Sequence, residues 1–194
     1  NQFYSSINDN KLLIGKSNSD EEKFNVILLC VRNIETITIP SCIEIIGPYV
    51  FNHCNRLRFV DCNSDTNLQL IQKEAFIKSS IENINIPISL AKISERAFSY
   101  CDNLKSIEFQ ENSKIEIIEK DAFILSSIEK LKIPSNLTII EDRALFFCNK
   151  LTSVEIPYNS ELEVIGKSAF SHSAIEKLTI SSKIIKIDEG TPRI

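Results

Sequence analysis

The chain has 194 residues, 43% of them hydrophobic, with 22 basic against 26 acidic residues and a formal net charge of −4. That length and apolar fraction can bury a core within one domain, and no linker or shift of composition marks a second. The acidic balance and the lack of any Lys/Arg run argue against nucleic acid as a partner, and no apolar stretch approaches the roughly 18 residues of a membrane span.

Residues 1–33 come first. "NKLLIG" and "KFNVILLCVRN" read as two strands joined by the polar loop "KSNSDEE". They are expected to form an N-terminal cap, a hairpin or degenerate unit, because a stack of strands must cover its open face. The opening "NQFYSSINDN" carries neither Met nor a signal-peptide pattern and reads as the start of a trimmed or processed piece.

From residue 34 the chain repeats itself. The apolar residues Ile34, Leu57, Ile81, Leu104, Ile128, Leu151 and Ile175 open successive units, alternately 23 and 24 residues apart. The residues that close them, Phe51, Phe76, Phe98, Phe123, Leu145 and Phe170, are alternately 25 and 22 apart. Two unit types therefore take turns within a period of 47 residues. Odd units end on Cys54, Cys101 and Cys148, while even units carry the small residues of "AFIKSSIE", "AFILSSIE" and "AFSHSAIE".

Within a unit, x-L-x-L alternates as a short half-buried strand requires, turning Leu131 and Ile133 inward and Lys130 and Lys132 outward. The following I-x-x-I-x-x-x-A-F changes to spacings of three and four, which predicts a helical or 3-10 turn on the opposite side. About seven apolar side chains per unit, at roughly 1.5–3 kcal/mol each, cannot offset the ordering of 23 residues at about 1.5 kcal/mol each. Units must stack, so residues 34–187 are expected to form an α/β-type repeat solenoid of about seven units, with 188–194 an incomplete last repeat or a cut end.

Equivalent residues two units apart lie roughly 10 Å apart, beyond the ~7 Å that a disulfide allows between Cα atoms. Cys54, Cys101 and Cys148 cannot bridge one another. Cys62 falls on an inward strand position, equivalent to Phe109 and Ile156 in later units, and Cys42 on the N/C position of the repeat, so all six cysteines are expected as free thiols.

No catalytic constellation is visible. The two histidines, His53 and His172, fall in units one and six, roughly 24 Å apart, and no Gly-rich phosphate loop, HExxH or CxxC motif occurs. The outward strand positions are the better candidates. They are Thr36 and Thr38, Phe59 and Asp61, Asn83 and Asn85, Ser106 and Glu108, Lys130 and Lys132, Ser153 and Glu155, and Lys177 and Thr179. Parallel stacking lines them up as a concave polar sheet, with Phe59 and Tyr158 the aromatics near it. Beside that face Glu35, Arg58, Glu82, Lys105, Glu129, Thr152 and Glu176 are expected to pair opposite charges as structural register. One sequon, "NLT" at Asn136, shares its repeat position with Asn112 and Asn159, where an asparagine is expected to turn inward onto turn backbone and so refuse a glycan.

The signatures C-x-x-L-x-x-I-x-I-P and I-x-x-x-A-F, over residues 34 to about 187, resemble the BspA-type leucine-rich repeats, known from surface proteins of mucosal bacteria and parasitic protists. The resemblance implies a leucine-rich-repeat solenoid with a parallel concave sheet and short helical or 3-10 turns on the convex side. It also implies a non-catalytic, cofactor-free module at the cell surface or secreted, adhering to host cells or extracellular-matrix protein. The candidate protein-binding residues are then Phe59, Asp61, Asn83, Asn85, Ser106, Glu108, Lys130, Lys132, Ser153, Glu155 and Tyr158. The alternative is a cytoplasmic structural or assembly scaffold, and exposed strand edges leave homo-oligomers open in either case.

Overall fold

The computed structural model describes residues 4–18, 23–62, 65–178 and 183–187. The N-terminal stretch holds three strands, one more than expected: β1 (Tyr4–Ile7), β2 (Leu12–Gly15) and β3 (Val26–Cys30). They form an antiparallel meander, with Tyr4 opposite Gly15 and Leu12 opposite Cys30. β1 carries the sequence YSSI, too polar to announce a strand.

Each later unit then adds one front and one back strand. In order these are β4 (Thr36–Thr38) and β5 (Ile45–Ile46), β6 (Phe59–Asp61) and β7 (Leu70–Ile71), β8 (Asn83–Ile86) and β9 (Lys92–Ile93), β10 (Ser106–Phe109) and β11 (Ile117–Ile118). β12 (Lys130–Lys132) and β13 (Ile139–Ile140), β14 (Ser153–Glu155) and β15 (Val164–Ile165), β16 (Lys177–Leu178) and β17 (Lys186–Ile187) complete the series.

The seven even strands from β4 to β16 pair in parallel as the front sheet. The odd strands from β5 to β17 make a parallel back ladder, which β3 joins through Val26 opposite Ile45, so the N-terminal meander extends the back sheet to ten strands. The result is a repeat solenoid of about seven turns, and its core is the space between the two sheets.

The back of the solenoid corrects the sequence reading. No helix, α or 3-10, occurs among the described residues. The spacing of three in L-x-x-I is met by a turn followed by a two-residue strand such as Ile139–Ile140, whose β-branched side chains suit a pleated ladder better than a helix. Neighbouring units satisfy the backbone that a helix would have satisfied internally: Gly166 N donates to Ile140 O at 2.8 Å, and Glu141 N to Ile118 O at 2.9 Å. The turn after each back strand from β5 to β15 contains a residue at positive φ, Glu74, Arg96, Asp121 and Arg143 among them at 54–55°, which interrupts any right-handed helix.

A third line of backbone bonds runs through the A-F turns. Phe51 N donates to Ala75 O, Phe76 N to Ala97 O, Phe98 N to Ala122 O, and Phe123 N to Ala144 O, all at 2.7–2.8 Å. Small Ala at the acceptor position lets consecutive turns approach this closely. The rings follow the backbone: Phe51, Phe76, Phe98 and Phe123 stack in series with centroids 4.7, 4.8 and 5.3 Å apart. Leu145 ends the series, and Phe170 resumes the aromatic beyond it, fully buried.

Candidate functional site

The front sheet is built from strands whose middle residues, Ile37, Val60, Ile84, Ile107, Leu131 and Val154, are buried. Strand alternation therefore turns their neighbours outward. The register places Phe59 beside Asn83, Asn83 beside Ser106, Ser106 beside Lys130, and Lys130 beside Ser153. These five candidates form one continuous row, tied at one point by a 3.2 Å hydrogen bond from Ser106 Oγ to Asn83 Oδ1. Asp61, Asn85, Glu108, Lys132 and Glu155 make a second row, with Asn85 registered on Glu108 and Lys132 on Glu155. Lys177 continues the first row at the backbone level, next to Ser153, and Thr179 lies outside the described residues.

Asn83, Asn85, Glu108, Lys130, Lys132 and Glu155 are exposed, whereas Phe59, Asp61, Ser106 and Ser153 are half-buried. Among the described residues, neither Lys130 nor Lys132 enters an ion pair, so both ammonium groups face solvent without a fixed counter-charge. Tyr158 is not in either row. It sits in the turn beyond β14, 96% exposed, and its ring touches little of the protein. Between the rows and that turn lies a notch of about 300 Å³, lined by Phe109, Gln110, Asn112, Lys132, Ser135 and Asn159 among others. Sequence reasoning missed this notch, because it takes three consecutive turns to make it and placed Phe109 inward, whereas the ring is half-buried at the notch wall.

Two further expectations fail here. The ladder beside the front sheet is mostly unpaired: Arg58 reaches Glu82 at 3.7 Å, but Glu35 is held by Arg56, and Lys105 and Glu129 enter no ion pair among the described residues. Long exposed side chains lose more rotamer freedom than a screened contact returns. The regular charge alternation lies instead two residues before the closing aromatic, where Glu74 meets Arg96 at 3.6 Å, Arg96 meets Asp121 at 3.7 Å, and Asp121 meets Arg143 at 2.7 Å. The motif x-A-F spells it as Glu, Arg, Asp and Arg in turn.

Asn112, Asn136 and Asn159 are exposed rather than turned inward. The buried turn residues are the adjacent serines of even units, with Ser160 Oγ accepting from Leu162 N at 3.1 Å and Ser113 Oγ from Ile115 N at 3.4 Å. Asn136 does donate its amide to Ser113 O at 2.8 Å, yet its exposure removes burial as a reason to refuse a glycan.

His53 and His172 occupy equivalent turns at φ 52° and 61°, and His172 stacks on Phe147 with centroids 4.2 Å apart. No group of three or more His, Cys, Asp or Glu that could hold a metal occurs among the described residues, and no helix there is long and apolar enough to cross a membrane.

The sequence matches the BspA type leucine rich repeat region, in six copies, over residues 24–124 and 69–191. No curated protein matches it. Among solved structures, a leucine-rich repeat protein from Eubacterium ventriosum superposes with a TM-score of 0.77 at 20% identity, over 97% of this chain and 49% of that one. One from Bacteroides ovatus gives 0.64 at 23% identity, over 87% of this chain and 43% of that one. A leucine rich cell surface protein from Faecalibacterium prausnitzii gives 0.66 at 25% identity, over 78% and 39%. The chain thus spans under half the length of each of these three. Six family copies laid over two interlocking parallel ladders carry one conclusion: the chain belongs to the BspA-type leucine-rich-repeat family.

Proposed function

We propose that this solenoid is a non-catalytic protein-binding module displayed at the cell surface, which engages a host-cell or extracellular-matrix protein through its front sheet. The observation that carries the reading is the register: one outward residue per unit in each of two rows, with Lys130 and Lys132 free of ion pairs among the described residues, and Tyr158 96% exposed in the turn beyond β14. Rigid strands hold the row residues in place before a partner arrives, so little side-chain order is lost on binding, and an exposed aromatic is a common anchor of interfaces. In this reading residues 1–33 cap the stack and 34–187 carry the recognition face, while 188–194, expected as an incomplete last repeat or a cut end, lie outside the described residues. Likeness to a bacterial cell-surface protein supports the location.

The test is binding of the purified chain to host epithelial cells and immobilised matrix proteins, beside a variant with Phe59, Lys130, Lys132 and Tyr158 changed to alanine. Saturable binding that the variant loses by tenfold or more supports the front sheet. Binding that survives moves the site to the turns or the ends. No binding, with source cells stained only after permeabilisation, replaces this reading with an internal scaffold.

A further inference from the structure

Units meet at two corners of the coil, and packing fixes the side chains at one of them. At the closing corner Ser79 Oγ lies 3.6 Å from Cys101 Sγ, and Ser126 Oγ 3.3 Å from Cys148 Sγ. Each cysteine also donates its S–H to the closing aromatic of the unit before, Phe76 O and Phe123 O, at 3.1 Å. All four side chains are buried, which leaves little choice of residue.

The other corner follows the front strand. In odd units a turn closes there through Ile43 N to Pro40 O, Leu90 N to Pro87 O and Leu137 N to Pro134 O, at 3.0, 3.1 and 3.2 Å. Its third residue is Cys42, Ser89 or Asn136, of which Cys42 and Asn136 are exposed and Ser89 is half-buried. Ser89 Oγ donates to Thr66 O at 3.0 Å and to Leu68 O at 2.8 Å. Asn136 Nδ2 donates at 2.8 Å to Ser113 O, and Ser113 holds in the fourth unit the place of Thr66 in the second. A hydroxyl is therefore enough for this contact. Two residues on, Thr138 stands where the third unit has Ala91. Thr138 N donates to Glu116 O as Ala91 N does to Gln69 O, both at 2.9 Å, so the 3.0 Å bond from Thr138 Oγ to Glu116 O is an addition. The fifth unit spells Asn-Leu-Thr where the third, with the same turn bonds, spells Ser-Leu-Ala.

We propose that Asn136 is the acceptor of an N-linked glycan, added when the chain is exported through a compartment that transfers such glycans. This rests on the reading of the chain as a surface protein. Asn-Leu-Thr is an acceptor sequence, with no proline at its middle position. Asn112 and Asn159 are exposed in neighbouring turns but have Lys114 and Glu161 in place of the required hydroxyl. Nδ2 carries two hydrogens: the bond to Ser113 O uses one and the sugar replaces the other, so the folded chain keeps its contact. Transfer takes place on the nascent chain, from a lipid diphosphate oligosaccharide held by an oligosaccharyltransferase. Nδ2 attacks the anomeric carbon of the first sugar, and the bond from that carbon to the diphosphate oxygen breaks. The lipid diphosphate leaves with the electron pair, and Nδ2 loses one proton to a base of the transferase. Ser135, the residue before, lines the notch together with Lys132, so the glycan stands at the edge of the front sheet and limits what reaches that end.

The experiment expresses the chain behind a cleavable secretion signal in cultured human cells. Beside it run Asn136→Ser and Thr138→Ala, which give the fifth unit the third unit's residues. Protein from medium and cells is weighed intact before and after peptide N-glycosidase digestion in heavy-oxygen water, and the modified peptide is mapped. The expected result is one glycan at Asn136, released with conversion of that asparagine to labelled aspartate, and complete loss of the glycan in both variants. Made in bacteria, both variants should melt within about 4 °C of the unglycosylated parent. An unmodified parent in medium and cells, a glycan mapped elsewhere, or one that persists in either variant would overturn the proposal. So would a far lower melting midpoint in the variants, which would give the asparagine and threonine a structural reason. No host partner enters this assay, so its failure leaves the front-sheet reading standing, and failure of the binding test leaves this result standing.

Discussion

Arg143 Nη2 donates to Asp121 Oδ2 at 2.7 Å, and that carboxylate is only 1% exposed. The two residues occupy equivalent turns one unit apart at φ 54° and 55°, which aims both side chains along the stack. Arg96 touches the same oxygen from the other side at 3.7 Å, while Asp121 Oδ1 has no hydrogen-bond partner. A buried carboxylate with one of its two oxygens unmatched depends on the partners it has. Arg143→Ala should therefore cost about 1–3 kcal/mol in urea unfolding, far more than an exposed ion pair would. Adding Asp121→Ala to that variant should recover part of the loss, and a double-mutant cycle that finds no coupling would remove this account.

The phenylalanine stack gives a second expectation. Phe98 lies between Phe76 at 4.8 Å and Phe123 at 5.3 Å, with no exposure. Phe98→Ala should cost about 3–5 kcal/mol. Phe98→Leu copies what the fifth unit already does with Leu145 and should cost less than about 1.5 kcal/mol. Equal losses for the two variants would mean that ring stacking, not filled volume, holds the turns together.

Burial raises the thiols of Cys62 and Cys101 to about 12 and that of Cys148 to about 11, from an ordinary 9.0. In the unfolded chain these thiols ionise near their ordinary value, so between pH 9 and about 11 the unfolded state binds fewer protons than the folded one. Their contribution is complete below pH 9 and is lost as pH rises towards the folded values, so the urea midpoint should fall on the alkaline side. Cys101→Ser retains the contacts with Ser79 and Phe76 O and cannot ionise. It should show a shallower alkaline decline than the parent across the same range.

Ser168 sits at φ 55° in a turn where no side-chain contact requires a serine. Ser168→Gly should raise stability by up to about 1 kcal/mol, since glycine enters the left-handed region without steric cost. Ser168→Val should lower it by at least as much. Thermal midpoints of the pair, moving in opposite directions, are the check.

The period, the unit boundaries and the core were legible because they are written in side-chain type. Phe51, Phe76, Phe98 and Phe123 recur by name, and the departure at Leu145 is the place where the ring stack ends. The rows of the front sheet were legible for the same reason, through the alternation around Leu131 and Val154. The back face was not. A spacing of three is shared by a helical turn and by a turn followed by a two-residue strand, and only the neighbouring unit's carbonyls decide between them. The left-handed turns gave no signal either, because His53, Lys78, Tyr100, Leu125, Phe147 and His172 fill one of the two series where glycine or asparagine would have marked it. The notch beside Lys132 depends on three turns at once, and Asn136 was placed inward by analogy when Ser113 and Ser160 hold that role.

The alternation of serine against cysteine also bears on how such a chain can lengthen. A duplication of one unit would set an even neighbour against an even one, or an odd against an odd, and leave two serines or two cysteines facing each other in a closed corner. A duplication of an odd–even pair preserves every such contact, together with the longer turn that each even unit carries. Inheritance in blocks of 47 residues is the route that the packing tolerates at each step. Under that constraint the front rows can diversify freely, block by block, while the corners behind them stay the same.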